Sequence, residues 1–274
     1  MNHDYLRSFL FVPATRPDRI TKAKESGADA VIVDLEDAVA PDLKASARSA
    51  LAEYLDSHPN TTVLVRINSV DSEHFDDDVA LCKAQANIQG IMLPKADDAD
   101  ALARLINEVQ KPIWPLIETA SGSTALPELV KVAGVARLSI GALDMATDLG
   151  LVSDTDGAAQ MLDFCRSQLV VYSRAAGLAP PIETVVPSID NRELISKVAT
   201  KACEMGFGGM LAIHPKQLGP IHEAFTPSAE KVSWAQRVVE AAAVQGAVFQ
   251  LDGKMVDAPV VSEAQRVLAR AGLL

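Results

Sequence analysis

The sequence predicts an α/β protein, built as a single (β/α)8 barrel followed by a C-terminal helix–hairpin–helix extension. One observation is the length of 274 residues, which is normal for one such barrel. Another is the alternation of eight short runs rich in Val, Ile and Leu with longer segments of helical periodicity. These runs are almost continuously apolar, as expected for strands buried on both faces of a parallel sheet.

The predicted strands cover residues 8–13, 30–35, 62–68, 90–94, 112–117, 136–141, 182–186 and 209–213. Pro17 and Gly27 bracket the first helix, as a first-turn proline and a terminal glycine do. The second helix shows one apolar stripe at spacing four, formed by Leu43, Ala47, Leu51 and Leu55. A closed barrel fits better than the alternative, an open doubly wound sheet, because closure removes both sheet edges.

The pattern changes after the eighth strand, so we place the barrel at residues 1–225 and the extension at 226–274. A helix is predicted from Thr226 to about residue 245. Asp252-Gly253 between two apolar runs indicates a β-hairpin over 247–256. Pro259 is expected to break the chain before a last helix. The extension is expected to pack on the barrel or on a neighbouring subunit.

The composition disfavours two classes of partner. The chain carries 25 basic and 36 acidic residues, a net charge of −11, and a field of that sign disfavours nucleic acid and anionic membranes. No segment approaches the ~20 apolar residues that span a bilayer. The three cysteines form no CxxC pair, which suits a reducing, cytoplasmic compartment. They are Cys82, Cys165 and Cys203.

Charged residues follow most of the predicted strands, at the end where the active site of a barrel lies. They are Asp34, Glu36, Asp37, Arg66, Lys95, Glu118, Asp144 and His214. Charged groups among strongly apolar neighbours are costly to bury unpaired. Convergence on one barrel mouth would let them pair with each other or bind a metal.

Several of these residues have a structural alternative. Asp34 and Asp37 are also candidates for helix caps or loop anchors, and Arg66 for a structural partner of Glu36. Lys95 is either a Schiff-base lysine or a charge that orders the carboxylates. The second role is favoured, because nearby acids keep the amine protonated.

Glu118 and Asp144 follow apolar strands on adjacent staves and are the candidate metal ligands. Without a Cys or His cluster beside them they indicate a hard cation. Mg²⁺ takes one or two protein carboxylates and completes its shell with water and substrate oxygen. A 2-oxo acid chelates such an ion, which then acts as a Lewis acid. Arg66 would hold the carboxylate of the acid through two parallel hydrogen bonds.

Seven motifs occur in order along nearly the whole chain. They are RSFLFVP at 7–13, DLEDAV at 34–39, VRIN at 65–68, LPK at 93–95, IET at 117–119, GALD at 141–144 and AIHP at 212–215. Each is short, but the ordered set is specific. It resembles the citrate lyase β-subunit and its stand-alone relatives, the malyl-CoA and citramalyl-CoA lyases.

The resemblance implies a trimer-forming barrel with a divalent metal, usually Mg²⁺, held by Glu118 and Asp144. It implies that Arg66 binds the oxo-acid carboxylate and that Glu36 lines the same pocket. In CoA-dependent members a hairpin-borne aspartate of the adjacent subunit is the acid/base, and the matching stretch here points to Asp257. The alternative for that residue is a plain hairpin-end aspartate.

A basic patch near the end of the first strand would bind an anionic CoA, or else form a solvated helix face. It consists of Arg16, Arg19 and Lys22. Two departures from the family leave the specificity open. An alanine follows Pro13 where many relatives have glycine, and Glu183 stands in the seventh strand where relatives often carry an Asp-Thr-Pro stretch.

Three functions follow from these residues. The first is a Mg²⁺-dependent carbon–carbon lyase that cleaves a 3-hydroxyacyl-CoA, such as malyl-CoA or citramalyl-CoA, into an acyl-CoA and a 2-oxo acid. The second is a citrate lyase β-subunit that acts on an acyl-carrier-protein thioester inside a larger complex. The third is a metal- and 2-oxo-acid-binding barrel without catalysis. Thioester hydrolysis after condensation is a variant of the first.

Overall fold

A computed structural model describes residues 5–246 and 248–274. Its main feature is a closed parallel barrel in which each strand pairs with the next and β8 pairs with β1. The strands are β1 Ser8–Pro13, β2 Ala30–Asp34, β3 Val63–Arg66, β4 Ile88–Leu93, β5 Ile113–Ile117, β6 Ser139–Ile140, β7 Ile182–Glu183 and β8 Gly209–Ala212. The predicted (β/α)8 barrel is therefore confirmed.

Helices connect successive strands and continue beyond the last one. They are α1 Arg19–Glu25, α2 Lys44–Ser57, α3 Phe75–Ala84, α4 Ala99–Val109, α5 Ala120–Leu129, α6 Ala142–Asp148, α7 Asp156–Ala175, α8 Arg192–Met205, α9 Leu218–Phe225, α10 Ala229–Gln245 and α11 Ala258–Arg270. The stripe predicted for the second helix is largely confirmed, because Ala47, Leu51 and Leu55 are buried while Leu43 lies before the helix and is exposed. None of the helices in the described residues is both long and apolar enough to cross a bilayer.

The inside of the barrel is packed with apolar side chains from most of the strands. The cluster contains Phe9, Ile32, Leu64, Met92, Trp114, Leu116, Ile182 and Leu211. Trp114 fills the space left by Gly90 on the neighbouring strand, where an added Cβ would lie 1.9 Å from the indole ring. The interior of the barrel is thus a packed core and not a pore.

The seventh strand is shorter than predicted. It ends at Glu183 rather than at residue 186. The Glu183 carboxylate accepts a hydrogen bond from the backbone N–H of Thr184 (3.0 Å), so this N–H is satisfied by a side chain instead of a neighbouring strand. The sixth strand is also short, with only Ser139 and Ile140 paired where residues 136–141 were predicted.

The chain divides into two compact units between Ile221 and His222, four residues before the predicted boundary. The second unit holds α10, α11 and the antiparallel hairpin of β9 (Phe249–Leu251) and β10 (Lys254–Val256). Its own apolar core includes Ala235, Val238, Phe249, Val256 and Ala264. The predicted helix–hairpin–helix extension is confirmed.

Both residues of the hairpin turn have positive φ, 52° for Asp252 and 76° for Gly253, as a two-residue turn of this kind requires. The hairpin was predicted from residue 247, and Ala247 lies outside the described residues. Pro259 does not break the chain as predicted. It sits in the first turn of α11, where the missing N–H of proline removes no intrahelical hydrogen bond.

Candidate active site

A cavity of about 390 Å³ opens at the C-terminal ends of the strands, where the charged residues were predicted to converge. Its polar wall consists of Asp34, Asp37, Arg66, Glu118, Asp144 and Thr184. Its apolar wall includes Phe11, Pro13, Leu143, Val185, Leu211 and Ile213. Five of the eight charged residues predicted to converge here line this cavity, and Arg66, Glu118 and Asp144 are among them. Glu36, which was predicted to line the same pocket, is not part of the cavity wall.

Arg66 is held by Asp34, the residue beside it on the neighbouring strand. The guanidinium Nε and Nη2 donate to the two carboxylate oxygens of Asp34 at 2.8 and 2.6 Å. Asp34 also accepts from the backbone N–H groups of Glu36 and Ala38. Because the carboxylate is fixed by its own loop, it fixes the direction of the arginine in turn.

The outer end of Arg66 also faces carboxylates. Nη1 lies 3.2 Å from an oxygen of Glu36 and 3.4 Å from an oxygen of Asp37, and the ring of Phe11 lies 4.8 Å below the guanidinium carbon. Burial lowers the pKa of Arg66, but the hydrogen bonds and charge of Asp34 and its neighbours outweigh burial and raise it. Asp34 occupies Nε and Nη2 of the guanidinium group. A substrate carboxylate, which was predicted to form two parallel hydrogen bonds with Arg66, would therefore have to bind on the side of Nη1.

Lys95 connects two carboxylates of the mouth. Its Nζ donates to Glu36 at 2.6 Å and lies 3.9 Å from Glu118, while its backbone N–H donates to Glu118 at 2.9 Å. The backbone of Lys95 has a left-handed φ of 50°, and in this conformation its N–H points to Glu118. Burial lowers the pKa of Lys95, but the hydrogen bond and charge of Glu36 outweigh it and raise the pKa. The amine stays protonated, in agreement with the role of an ordering charge.

Glu118 is the most deeply buried acid of the site, with 1 % of its surface exposed. Burial raises its pKa to about 8, and the negative charges of Glu36 and Asp144 act in the same direction. Gly141 makes room for it, because a Cβ at that position would lie 2.4 Å from the second carboxylate oxygen. Thr119 follows directly and caps α5 by accepting from the N–H of Gly122, which fixes the end of the strand.

Asp144 reaches the same cavity from the first turn of α6 and is exposed. Glu118 and Asp144 thus present two carboxylates from neighbouring strands of the barrel, and the described residues that line the cavity include no His or Cys. Among the described residues no three or more His, Cys, Asp or Glu side chains form a metal cluster. The donor set fits a hard cation that keeps most of its shell for water and substrate oxygen, as Mg²⁺ does.

Residues 7–215 match the family model described as HpcH/HpaI aldolase/citrate lyase. The match covers most of the chain, including every strand of the barrel. The chain belongs to this family. The resemblance predicted from the seven motifs is confirmed, and with it the assignment to a family of carbon–carbon lyases.

Relatives of known name agree with this assignment. A citrate lyase subunit beta-like protein of Deinococcus radiodurans is 33% identical, with 96% of each chain covered. A (3S)-malyl-CoA thioesterase of Cereibacter sphaeroides is 33% identical over 97% of this chain and 94% of its own length. The crystal structure of protein CitE from Mycobacterium tuberculosis in complex with magnesium, acetoacetate and coenzyme A superposes with a TM-score of 0.82. It is 33% identical, with 97% of this chain and 98% of that chain covered.

The structure does not test the roles predicted for CoA binding and for proton transfer. Arg19 and Lys22 are exposed on α1 and do not line the cavity, and Arg16 pairs with Asp18 at 2.8 Å. Asp257 lies in the second unit, where its carboxylate caps α11 by accepting from the N–H of Val260. Their predicted roles stay predictions.

Two features of the mouth were not predicted from the sequence, namely the contact of Asp34 with Arg66 and the apolar wall. Asp34 was treated as a candidate cap, and it does bond the backbone of its loop, but it also holds Arg66. The apolar wall was not anticipated at all. The signal was present, because Leu211 lies near the end of β8, Ile213 directly follows β8 and Val185 lies two residues after β7, at the end of the barrel where charged residues follow the other strands.

Proposed function

We propose that this chain is a Mg²⁺-dependent carbon–carbon lyase that cleaves a 3-hydroxyacyl-CoA into an acyl-CoA and a 2-oxo acid. The observation that carries the proposal is the convergence of Glu118, Asp144 and Arg66 on one cavity. Two carboxylates and one arginine are the groups needed to hold an ion and an anionic acid together. The magnesium, acetoacetate and coenzyme A bound by the related structure support the same chemistry here.

In this proposal Glu118 and Asp144 would hold the ion, which would supply Lewis-acid stabilisation of the hydroxyl or oxo oxygen of the substrate. Glu118 is pre-oriented by the backbone N–H of Lys95, which binds one carboxylate oxygen and leaves the other turned toward Gly141. The ammonium group of Lys95 pairs with the carboxylate of Glu36 and so reduces the net negative charge at the mouth of the barrel.

Arg66 binds the carboxylate of the substrate through its Nη1 side, and that carboxylate takes the place of the loose contacts to Glu36 and Asp37. The tight pair with Asp34 stays intact and keeps the guanidinium aimed at the cavity. Fixing the acid in this way converts a bimolecular condensation into a reaction between held partners.

In the chemical step the proton of the substrate hydroxyl passes to solvent water, and the bond between the hydroxyl-bearing carbon and the α-carbon of the thioester breaks. The electrons of that bond form the thioester enolate, and the hydroxyl carbon becomes the oxo carbon of the acid. We assign Asp257, reaching from an adjacent subunit of a homotrimer, to protonate the enolate carbon. Arg19 and Lys22 are the proposed contacts of the CoA phosphates, and the cytoplasm is the proposed location.

The assay uses the purified full chain with malyl-CoA and with citramalyl-CoA, with and without Mg²⁺. Release of acyl-CoA and 2-oxo acid is expected with Mg²⁺ and not in EDTA. Asp144→Asn should lower the kcat/KM by about 10³-fold, because several kcal/mol of charge stabilisation depend on the ion. The matched control is Glu128→Gln, an exposed acid on α5.

Two outcomes would replace the proposal by its alternatives. Activity on an acyl-carrier-protein thioester alone would make the chain a citrate lyase subunit, as the name of the Deinococcus relative suggests. Release of free CoA in place of acyl-CoA would make it a thioesterase, as the Cereibacter relative is named. Binding of Mg²⁺ and a 2-oxo acid without turnover of any thioester would leave a non-catalytic barrel.

A further inference from the structure

The helix that carries Asp144 has no side-chain cap of its own. Its N-cap residue is Gly141, where a Cβ would lie 2.4 Å from a carboxylate oxygen of Glu118, so a side chain has no room at this position. The first N–H groups of a helix have no partner inside the helix, and a side-chain oxygen usually accepts from one of them. Asp144 lies in this first turn. The partners of the first N–H groups of α6 therefore determine where Asp144 lies.

Two other strands of the barrel supply these partners. The N–H of Gly141 donates to the carbonyl of Ile117 on β5 at 3.0 Å, one residue before Glu118. The N–H of Ala142 donates to the hydroxyl oxygen of Thr184, directly after β7, at 3.2 Å. The first bond ties the start of α6 to the strand of Glu118, and the second bond ties it to β7. Together they fix the start of the helix from two sides.

The contact of Thr184 with α6 lies where strand pairing has ended. In the register of β6 and β7, Ser139 pairs with Ile182, and no further pair follows toward the mouth in this part of the chain, which the structure describes throughout. Thr184 lies two residues beyond Ile182, lines the cavity and is 7% exposed. Its hydroxyl thus continues the connection between β7 and the start of α6 up to the level of the site.

Thr184 is itself held by a buried ion pair. Its backbone N–H donates to the Oε1 atom of Glu183 at 3.0 Å, and Glu183 is 1% exposed. Arg166 of α7 donates to both oxygens of this carboxylate, from Nε at 2.8 Å and from Nη2 at 3.0 Å. Such a two-point pair has a defined geometry. The peptide group of Thr184 is therefore fixed from the helix layer around the barrel.

We propose that Thr184 is a positioning residue of the metal site, which caps α6 from β7 and thereby sets the place of Asp144 relative to Glu118. The inference rests on the proposed function in one respect, namely that Asp144 and Glu118 hold the ion. Replacing a residue that orients a metal ligand typically lowers metal affinity or activity by about 10–100-fold. The hydroxyl of Thr184 should therefore be visible in the affinity for Mg²⁺ itself.

The test compares Thr184→Val, which has nearly the same shape without the hydroxyl, with Thr184→Ser, which keeps the hydroxyl. Mg²⁺ alone is titrated into the purified full chain, and the heat of binding is measured. Thr184→Val is expected to raise the Kd for Mg²⁺ by about tenfold, and Thr184→Ser by less than about threefold. An unchanged Kd in Thr184→Val, or an equal rise in both variants, would overturn the inference.

Thr155→Val is the matched control for the loss of a helix cap. Thr155 caps α7 in the same manner, because its hydroxyl oxygen accepts from the N–H of Ala158 at 3.3 Å, but it is exposed and does not line the cavity. This variant should leave the Kd for Mg²⁺ within about twofold of normal. A rise as large as that of Thr184→Val would show that the loss of any cap weakens the site, which would also overturn the inference.

The Asp144→Asn background separates positioning of Asp144 from other effects of Thr184. If Thr184 acts through Asp144, adding Thr184→Val to Asp144→Asn should change the Kd for Mg²⁺ by less than about twofold. A further tenfold rise would show that Thr184 acts independently of Asp144. A fall in kcat with an unchanged Kd for Mg²⁺ would show that the hydroxyl contacts the substrate instead. Either result would contradict the proposed positioning role.

Failure of the proposed function gives a different pattern of results. The titration needs no substrate, so it decides the inference even if the chain turns over no thioester. If Asp144→Asn binds Mg²⁺ as tightly as the unchanged chain, the metal site of the proposed function is wrong, and the inference fails with it. If Asp144→Asn weakens Mg²⁺ binding and Thr184→Val does not, the inference alone fails.

Discussion

Two arginines lie at opposite ends of the same barrel, and each stacks on a phenylalanine of β1. Arg66 at the mouth lies 4.8 Å from the ring of Phe11, and Arg137 before β6 lies 5.3 Å from the ring of Phe9. Arg66 binds carboxylates. Arg137, which is fully buried, donates instead to the backbone carbonyls of Leu6 (2.9 Å) and Pro180.

The difference lies in whether the partner can be exchanged. The carbonyls that hold Arg137 precede β1 and β7, so they belong to the barrel frame and cannot be replaced by a ligand. The carboxylates near Nη1 of Arg66 are side chains at 3.2 and 3.4 Å, and a substrate carboxylate can take their place. Arg137 therefore stabilises the fold, whereas Arg66 is placed to bind a ligand.

The largest expected effect is on activity at the mouth. Glu118→Gln should lower kcat/KM by about 10³-fold or more and weaken Mg²⁺ binding, because the ion loses a charged ligand. The temperature of unfolding without metal should not fall, since burial already disfavours the charged form of this carboxyl and raises its pKa. Steady-state kinetics measure kcat/KM, titration measures the affinity for Mg²⁺, and scanning calorimetry measures the temperature of unfolding. A variant with normal turnover and normal Mg²⁺ dependence would remove Glu118 from the site.

The opposite pattern is expected at the other end. Arg137→Met should lower the free energy of unfolding by about 3 kcal/mol, because two backbone carbonyls lose their donor and the packing of a fully buried side chain is changed. At a temperature where the variant stays folded, kcat/KM should stay within about twofold of normal. Urea unfolding measures the first quantity. Arg174→Met on an exposed position of α7 is the control and should cost about 0.5 kcal/mol or less.

An intermediate effect on substrate binding is expected when Arg66 is replaced by a residue that keeps the positive charge but not the planar guanidinium group. Arg66→Lys retains a cation but cannot hold both oxygens of Asp34, so its direction toward the cavity is no longer fixed. The KM for the 2-oxo acid should rise by about 10–100-fold with a smaller change in the KM for the thioester. An unchanged KM for the acid would assign Arg66 to structure, together with Arg137.

The two arginines also mark what the sequence could predict. Arg66 was identified because it ends an apolar strand, and Glu118 and Asp144 were identified by the same signal. Its bond to Asp34 was not, because a partner on the neighbouring strand depends on register, which local sequence does not encode. Arg137 lay inside a predicted strand and drew no attention, because its partners are backbone carbonyls that carry no sequence signal.

Strand ends were harder to predict than strands. The continuous apolar runs located all eight strands, but β7 stopped early because Glu183 bonds the next backbone N–H. Lys95 was placed at the mouth correctly, yet its left-handed backbone was not foreseen, and it is this conformation that brings its N–H to Glu118. Hydrogen bonds at the strand ends thus determine the geometry of the site, whereas the apolar pattern of the sequence determines where the strands of the barrel lie.

The smallest effect on kinetics is expected for the two exposed cations of α1. Unlike Arg66 and Arg137, they lie on the surface in contact with solvent. Arg19 and Lys22 are solvated, so each would attract a CoA phosphate only weakly through water. The double variant Arg19→Ala/Lys22→Ala should raise the KM for the thioester by about threefold at low salt, and the difference should vanish at about 0.5 M salt. The KM for the 2-oxo acid should not change. An unaltered KM for the thioester at low salt would show that these residues form only a solvated helix face. A rise in that KM which persists at high salt would indicate a direct contact with the phosphates that is shielded from solvent.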